Sequence, residues 1–192
     1  MIVRTLEVTR PGRSVLRFYR RHRGRRDPRK PRVLCVGFQK TGTTSLGVAL
    51  RRLGFSHYGY DRDFFDALQR GEIGRCLEFA ALFDSLDDLP WSHPTFVEAF
   101  QRRFPGARYV LLLRDEASWL RSYFNFFAPR ITPEEALDRL RTHNARVEAL
   151  LAGEPHVLRM NICGGEGYEM LCPFLGIEPP TTPFPWANRT PA

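Results

Sequence analysis

Lysine is what this chain most conspicuously lacks. Of its 29 basic residues 27 are arginines, and only Lys30 and Lys40 break the habit. Lysine puts a compact charge on a flexible stem where arginine offers a planar fork, so an isolated lysine in an arginine-using chain points to a place that needs a point charge. Long apolar runs are missing as well. No stretch approaches the ~18 residues of a membrane span, and the N-terminal residues carry no apolar centre of a secretory leader. The four cysteines (Cys35, Cys76, Cys163, Cys172) form no C-x-x-C pair and have no histidines at zinc spacing. They read as free thiols in a reducing compartment, and the expectation is a cytoplasmic protein without a bound metal.

Charge balance is also absent from one end. Residues 1–32 hold 12 Arg or Lys against Glu7 and Asp27, a net of +10, whereas the remaining 17 basic and 19 acidic residues leave −2. The formal +8 therefore describes an arm, 1–31, attached to a nearly neutral domain, 32–192. Apolar residues among the arginines of 14–26 suit peripheral contact with an anionic surface, or simply a solvated extension. No recognition motif accompanies the charge, so nucleic acid is not the expected partner.

What is present is an alternation of strand and helix signals. Buried-strand patterns fall at 32–37, 55–60, 77–83, 107–113 and 156–162, the third with alanines that leave a helical reading open. Helical spacing occupies 43–53, 63–70, 95–104, 116–127, 133–152 and 166–175. The longest has Thr132 as N-cap with Glu135 at the capping-box position. The proline-rich tail from 179 is expected to lie extended over the surface. Strands alternating with helices imply one α/β domain, a parallel sheet covered on both faces in three layers. Ligands of such sheets bind beyond the carboxyl ends of the strands.

The segment 33–46, VLCVGFQKTGTTSL, lies at such an end. An apolar strand stops at Gly37, a turn holds Lys40 and Gly42, and Thr43, Thr44 and Ser45 open a helix. Unpaired N–H groups and the helix dipole make that turn an anion site. The interval from Gly37 to Gly42 is that of a Walker A loop, yet Thr43 follows the second glycine and the lysine stands two residues before it. Arg114 directly follows the central strand, with Ser118 and Ser122 on successive turns of the next helix, and an arginine with a hydroxyl at a strand end can hold a second phosphate. The plainer role for Arg114 is an ion pair with Asp115 or Glu116.

The loop GFQKTGTTSL resembles the P-K-[ST]-G-[ST]-[ST] loop of sulfotransferases, with Gln39 in place of the usual proline. FPGARYVLLLRDEASWLRSYFNFF is similar to that family's second motif, an arginine at a strand end and a serine eight residues on, and the closing FPWAN resembles its bacterial members. The resemblance implies a P-loop NTPase-like sulfotransferase fold and transfer of a sulfuryl group from 3′-phosphoadenosine 5′-phosphosulfate (PAPS), as co-substrate, to a hydroxyl or amine of a small-molecule or carbohydrate acceptor. It implies that Lys40 is catalytic and that Lys40, Thr41, Gly42, Thr43, Thr44 and Ser45 hold the 5′ end. Arg114 and Ser122 would grip the 3′-phosphate, with Arg189 as a further contact, and no metal is expected. Cytosolic relatives often carry a base-stacking tryptophan where this chain has Ser45. For the group that takes the acceptor proton the candidates are Asp84, read as ending the third strand (DSLDDLPW), then Asp61 after the second, with His57 and His93 behind them. Tyr58, Phe64, Trp91, Phe124 and Phe127 are the candidate pocket aromatics. The other readings are a P-loop small-molecule kinase and a non-catalytic nucleotide-binding relative.

Overall fold

A computed structural model describes residues 26–187. Most of the basic arm and the last five residues, Arg189 among them, lie outside the described residues. Five parallel strands, β1 (Val33–Cys35), β2 (His57–Tyr58), β3 (Ser85–Leu86), β4 (Arg108–Leu112) and β5 (Val157–Met160), form one sheet in the order β2-β3-β1-β4-β5. Seven α-helices are described: α1 (Thr43–Arg52), α2 (Arg62–Gln69), α3 (Ile73–Ala80), α4 (Pro94–Arg103), α5 (Glu116–Phe127), α6 (Pro133–Leu151) and α7 (Tyr168–Leu175).

The period of two in the central strands sends side chains to two separate cores. Leu34, Val36, Tyr109 and Leu111 enter one, packed with Phe64, Phe79, Trp91, Phe96, Phe100 and Val147 from the side of α2, α3, α4 and α6. Val33, Cys35, Val110 and Leu112 enter the other, against Leu46 and Leu50 of α1 and Leu171, Cys172 and Leu175 of α7. A third cluster joins α5 to α6 through Trp119, Tyr123, Ala136 and Leu140. The result is a three-layer, P-loop NTPase-like α/β fold, as expected. The capping box of Thr132 and Glu135 is formed at both of its bonds. All four cysteines are free, and no helix among the described residues is long and apolar enough to cross a membrane.

One element differs from its expectation. The apolar stretch at 77–83 is not a strand: α3 runs through Ile73–Ala80, burying Cys76, Phe79 and Ala80 at the i, i+3, i+4 spacing of a helical stripe. The third strand follows it and is only Ser85–Leu86. Helix-favouring alanines and that stripe outweigh the bare apolar content. The shift moves a different aspartate to the carboxyl edge of the sheet.

Two peripheral segments are tied to the domain. Lys30 donates to the Gly54 carbonyl and stands 5.0 Å from the Phe55 ring centroid. The tail crosses α1 and α7: Arg52 donates to the Pro183 carbonyl at 3.2 Å, the Phe184 ring packs 4.9 Å from Tyr168, and Ala187 N donates to Ser45 Oγ at 3.0 Å.

Candidate active site

The β1–α1 loop is held by its carbonyls. His143 Nε2 donates to Val36 O at 2.9 Å, Thr41 Oγ1 to Phe38 O at 2.6 Å, Trp119 Nε1 to Gln39 O at 2.8 Å, and Arg114 Nη1 to Lys40 O at 2.8 Å. Four of the loop's acceptors are therefore engaged by the protein, which fixes the course of its backbone. Glycine is required at two places. A Cβ on Gly37 would stand 2.6 Å from Leu112 Cβ, and Gly42 has φ 109 at the start of α1. Lys40 itself takes φ 66, a left-handed conformation that non-glycine residues rarely occupy.

Beyond the carboxyl edge lies a cavity of about 600 Å³. It collects Lys40, Gly42, Thr43, Thr44 and Ser45 from the loop and α1, with Arg114 and Ser122 from the β4–α5 segment. Arg114 Nε donates to Ser118 Oγ at 2.9 Å, so Ser118 aims the guanidinium while Ser122, one turn on, faces the cavity. Burial, then the charge of Arg114, lowers the pKa of Lys40. Its ammonium lies 4.0 Å from the centroid of Phe126, one further turn along α5.

The remaining predicted residues separate. Thr41 is fully buried with its hydroxyl turned to Phe38 O, and it does not line the cavity. Ser45 lines the cavity with its hydroxyl engaged by Ala187. Arg189 lies outside the described residues. Asp84 precedes β3 instead of ending a strand, which puts it at the opposite edge of the sheet. There it is buried and accepts from Asp27 N at 2.8 Å, Ser56 N at 2.9 Å and Ser56 Oγ at 2.8 Å. Its place at the catalytic edge is thus corrected; it is a structural acceptor. Asp61 is at the expected edge but caps α2 through Phe64 N at 3.1 Å and accepts from Tyr58 Oη at 2.5 Å, and it does not line the cavity. His57 is buried against Asp87 and Ser85, and His93 caps α4. Of the predicted pocket aromatics only Phe127 lines the cavity, while Phe64 and Trp91 are core residues.

The carboxylate that does face the cavity is Asp88, just past β3. Its φ of 60 turns it out of the strand direction, and burial pushes its carboxyl up to about 6, with Lys40 acting in the opposite sense. Sequence reasoning passed over it because β3 was placed one helix too early, although DSLDDLPW already contained it. Tyr60, Phe126 and Trp186 were passed over too; they also line the cavity, and only FPWAN, which carries Trp186, offered a signal. Among the described residues no group of three or more His, Cys, Asp or Glu side chains is arranged to hold a metal.

Two similar solved structures are a shikimate kinase from Bacteroides thetaiotaomicron and a gluconokinase from Sinorhizobium meliloti 1021. The first is 15% identical over 68% of this chain and 86% of its own, with a TM-score of 0.47. The second is 13% identical over 79% of this chain and 92% of its own, with a TM-score of 0.48. No curated protein sequence matches the chain. The profile of one family, described as Sulfotransferase domain, matches residues 32–134 and 126–192, the stretches that contain the loop, Arg114, Ser122 and the tail. The chain belongs to the sulfotransferase-domain family.

Proposed function

We propose that this chain transfers a sulfuryl group from PAPS to a hydroxyl or amine acceptor. One observation carries the reading: a single cavity holds the lysine-bearing anion loop, the Arg114–Ser122 pair and the Asp88 carboxylate. A donor phosphorylated at both ends needs two anion sites at one sheet edge, and the loop and the β4–α5 segment supply them. The order of the strands sorts the roles. Loops after β4 and β5 lie on one side of the β1 loop and suit the donor, whereas those after β2 and β3 lie on the other and suit the acceptor. The tail places Trp186 beside Ser45, so the purine stacks on the tail and not on a helix residue.

In this reading the new S–O bond forms to the acceptor oxygen as the sulfur's bond to the bridging phosphate oxygen breaks. The acceptor's proton passes to the Asp88 carboxylate, whose raised pKa suits a base near neutral pH. Negative charge develops on the departing phosphate. Lys40 neutralises it there, on a loop whose backbone is already fixed by the bonds to its carbonyls.

Calorimetry on the full chain tests the proposal, with adenosine 3′,5′-bisphosphate set against ATP with magnesium. Tight bisphosphate binding without metal is expected. Magnesium-dependent ATP binding with none for the bisphosphate points to a kinase instead, and bisphosphate binding without transfer to any acceptor points to a non-catalytic relative.

A further inference from the structure

The sheet has a second edge, opposite the cavity, and it is basic. All the strands are parallel, so the helices that join them run back and end at the amino edge. Two of them, α1 and α4, close on pairs of exposed arginines, Arg51 with Arg52 and Arg102 with Arg103. Arg32 precedes β1 and Arg108 opens β4 at the same edge. The guanidinium carbons of Arg32 and Arg103 lie 4.2 and 5.0 Å from the centroid of Phe104, and Lys30 donates to the Gly54 carbonyl just past α1. Burial, then the charges of Arg26 and Arg103, push Arg32 down to about 10. Acids set among these groups are already engaged: Asp84 is buried, Asp27 pairs with Arg29 at 2.9 Å, and Glu98 with Arg102 at 2.6 Å. The described chain also begins here. Asp27 N donates to Asp84 Oδ1 at 2.8 Å, and Arg26 Nη1 stands 3.7 Å from the same oxygen. Residues 1–25, which lead to this point, hold eight arginines against Glu7. Cations in the last turn of a helix complement its dipole, which accounts for the arginine pairs of α1 and α4 but not for those of the arm.

We propose that the amino edge and residues 1–25 together dock on an anionic lipid surface. Clustered basic residues gain from the negative potential of such a surface, residue by residue. Lipid is favoured over nucleic acid by what lies between the arm's arginines: Val15, Leu16, Phe18 and Tyr19 fall within 14–26. Apolar side chains gain by entering the boundary between headgroups and acyl chains, whereas the aliphatic Val15 and Leu16 have no ring to stack on a base. The cavity lies beyond the carboxyl edge, so docking by the amino edge leaves its mouth in solvent. The chain then exchanges its ligands with solution while held at the membrane.

Sedimentation of the full chain with vesicles tests this, using phosphatidylcholine alone or mixed with phosphatidylserine. Binding to the mixed vesicles is expected to be at least about tenfold tighter, and to weaken as salt is raised. Arg51→Glu with Arg103→Glu, and separately Leu16→Ser with Phe18→Ser, are each expected to lower that affinity by at least about tenfold. Circular dichroism checks that both variants keep the parent's fold. Arg51→Gln with Arg103→Gln, expected to lose at least about threefold, replaces the charge reversal if that variant does not fold. Equal binding to the two kinds of vesicle overturns the proposal, as does affinity untouched by either pair. Tighter binding to polyuridylate RNA than to the mixed vesicles overturns it too, in favour of nucleic acid.

Discussion

Arg114 Nη1 donates to the backbone carbonyl of Lys40 at 2.8 Å, so the arginine of the second motif holds the lysine of the first by its main chain. The β1–α1 loop and the β4–α5 segment are thereby one mechanical unit: the guanidinium proposed to meet one phosphate also fixes where the Lys40 side chain begins. Arg114→Ala is expected to weaken bisphosphate binding by ~10- to 100-fold, the loss of charge-assisted bonds. Arg114→Lys is expected to restore little of it, because an ammonium cannot reach Lys40 O and Ser118 together in the fork geometry. Calorimetry reads both, and affinity unchanged in the alanine variant removes Arg114 from the donor site.

Lys40 combines the charge proposed to act on the leaving phosphate with a left-handed backbone. Lys40→Ala and Lys40→Gly are both expected to lower the transfer rate by at least ~100-fold, as loss of a charge-stabilising group does. Their stabilities should differ: glycine accepts φ 66 and alanine does not, so the glycine variant should be more stable by about 1 kcal/mol in urea denaturation. Equal stability would mean that the loop relaxes out of that conformation.

Asp88 gives a pH signature. With its carboxyl at about 6, kcat/KM should rise through about pH 6 as the base deprotonates and then level. The stability effect has the opposite direction. A carboxyl raised in the folded chain contributes stability below its unfolded value of 3.8, and that contribution is lost as pH climbs through about 6. Asp88→Asn should therefore be inactive yet melt at a higher temperature than the parent at pH 7.5. A lower melting temperature would assign the side chain a structural bond in place of a catalytic one.

Asp84 predicts the reverse pattern. Its carboxylate satisfies two backbone amides and a hydroxyl at the amino edge of the sheet, so Asp84→Ala should cost about 1–3 kcal/mol of stability. Bisphosphate affinity of the folded fraction should not change. A selective loss of transfer with stability intact would return Asp84 to the chemistry.

Trp186→Ala should weaken adenosine 3′,5′-bisphosphate by about tenfold, in keeping with ~1–3 kcal/mol per stacked base. Binding of ribose 3,5-bisphosphate, which has no base, should be unaffected by the same substitution. An equal loss for both ligands would mean that the tail braces the loop and does not touch the purine.

That the Lys40 loop and the Arg114–Ser122 pair meet at one sheet edge was legible from the residues because their strands are. β1 and β4 are apolar on both faces and end two residues before Gly37 and Arg114, and α5 keeps Ser122 in register by helical spacing alone. The place of Asp88 at the cavity was not legible. β3 is a two-residue strand with no period to read, and the neighbouring apolar stretch belongs to a helix, so the aspartate assigned to the cavity edge was four positions too early. Nothing local announces that Asp88 takes a left-handed backbone, or that residues 183–187 return across α1. Both depend on what packs against them.

Helix α5 carries four different duties along about two turns: Ser118 steadies Arg114, Trp119 pins Gln39, Ser122 faces the cavity and Phe126 shelters the Lys40 ammonium. One added or deleted residue early in this helix would rotate everything after it by about 100°. The Arg114 brace, the loop anchor and the lysine support would then fall out of phase together. Substitutions along α5 can retune the site one property at a time, but its length is indivisible.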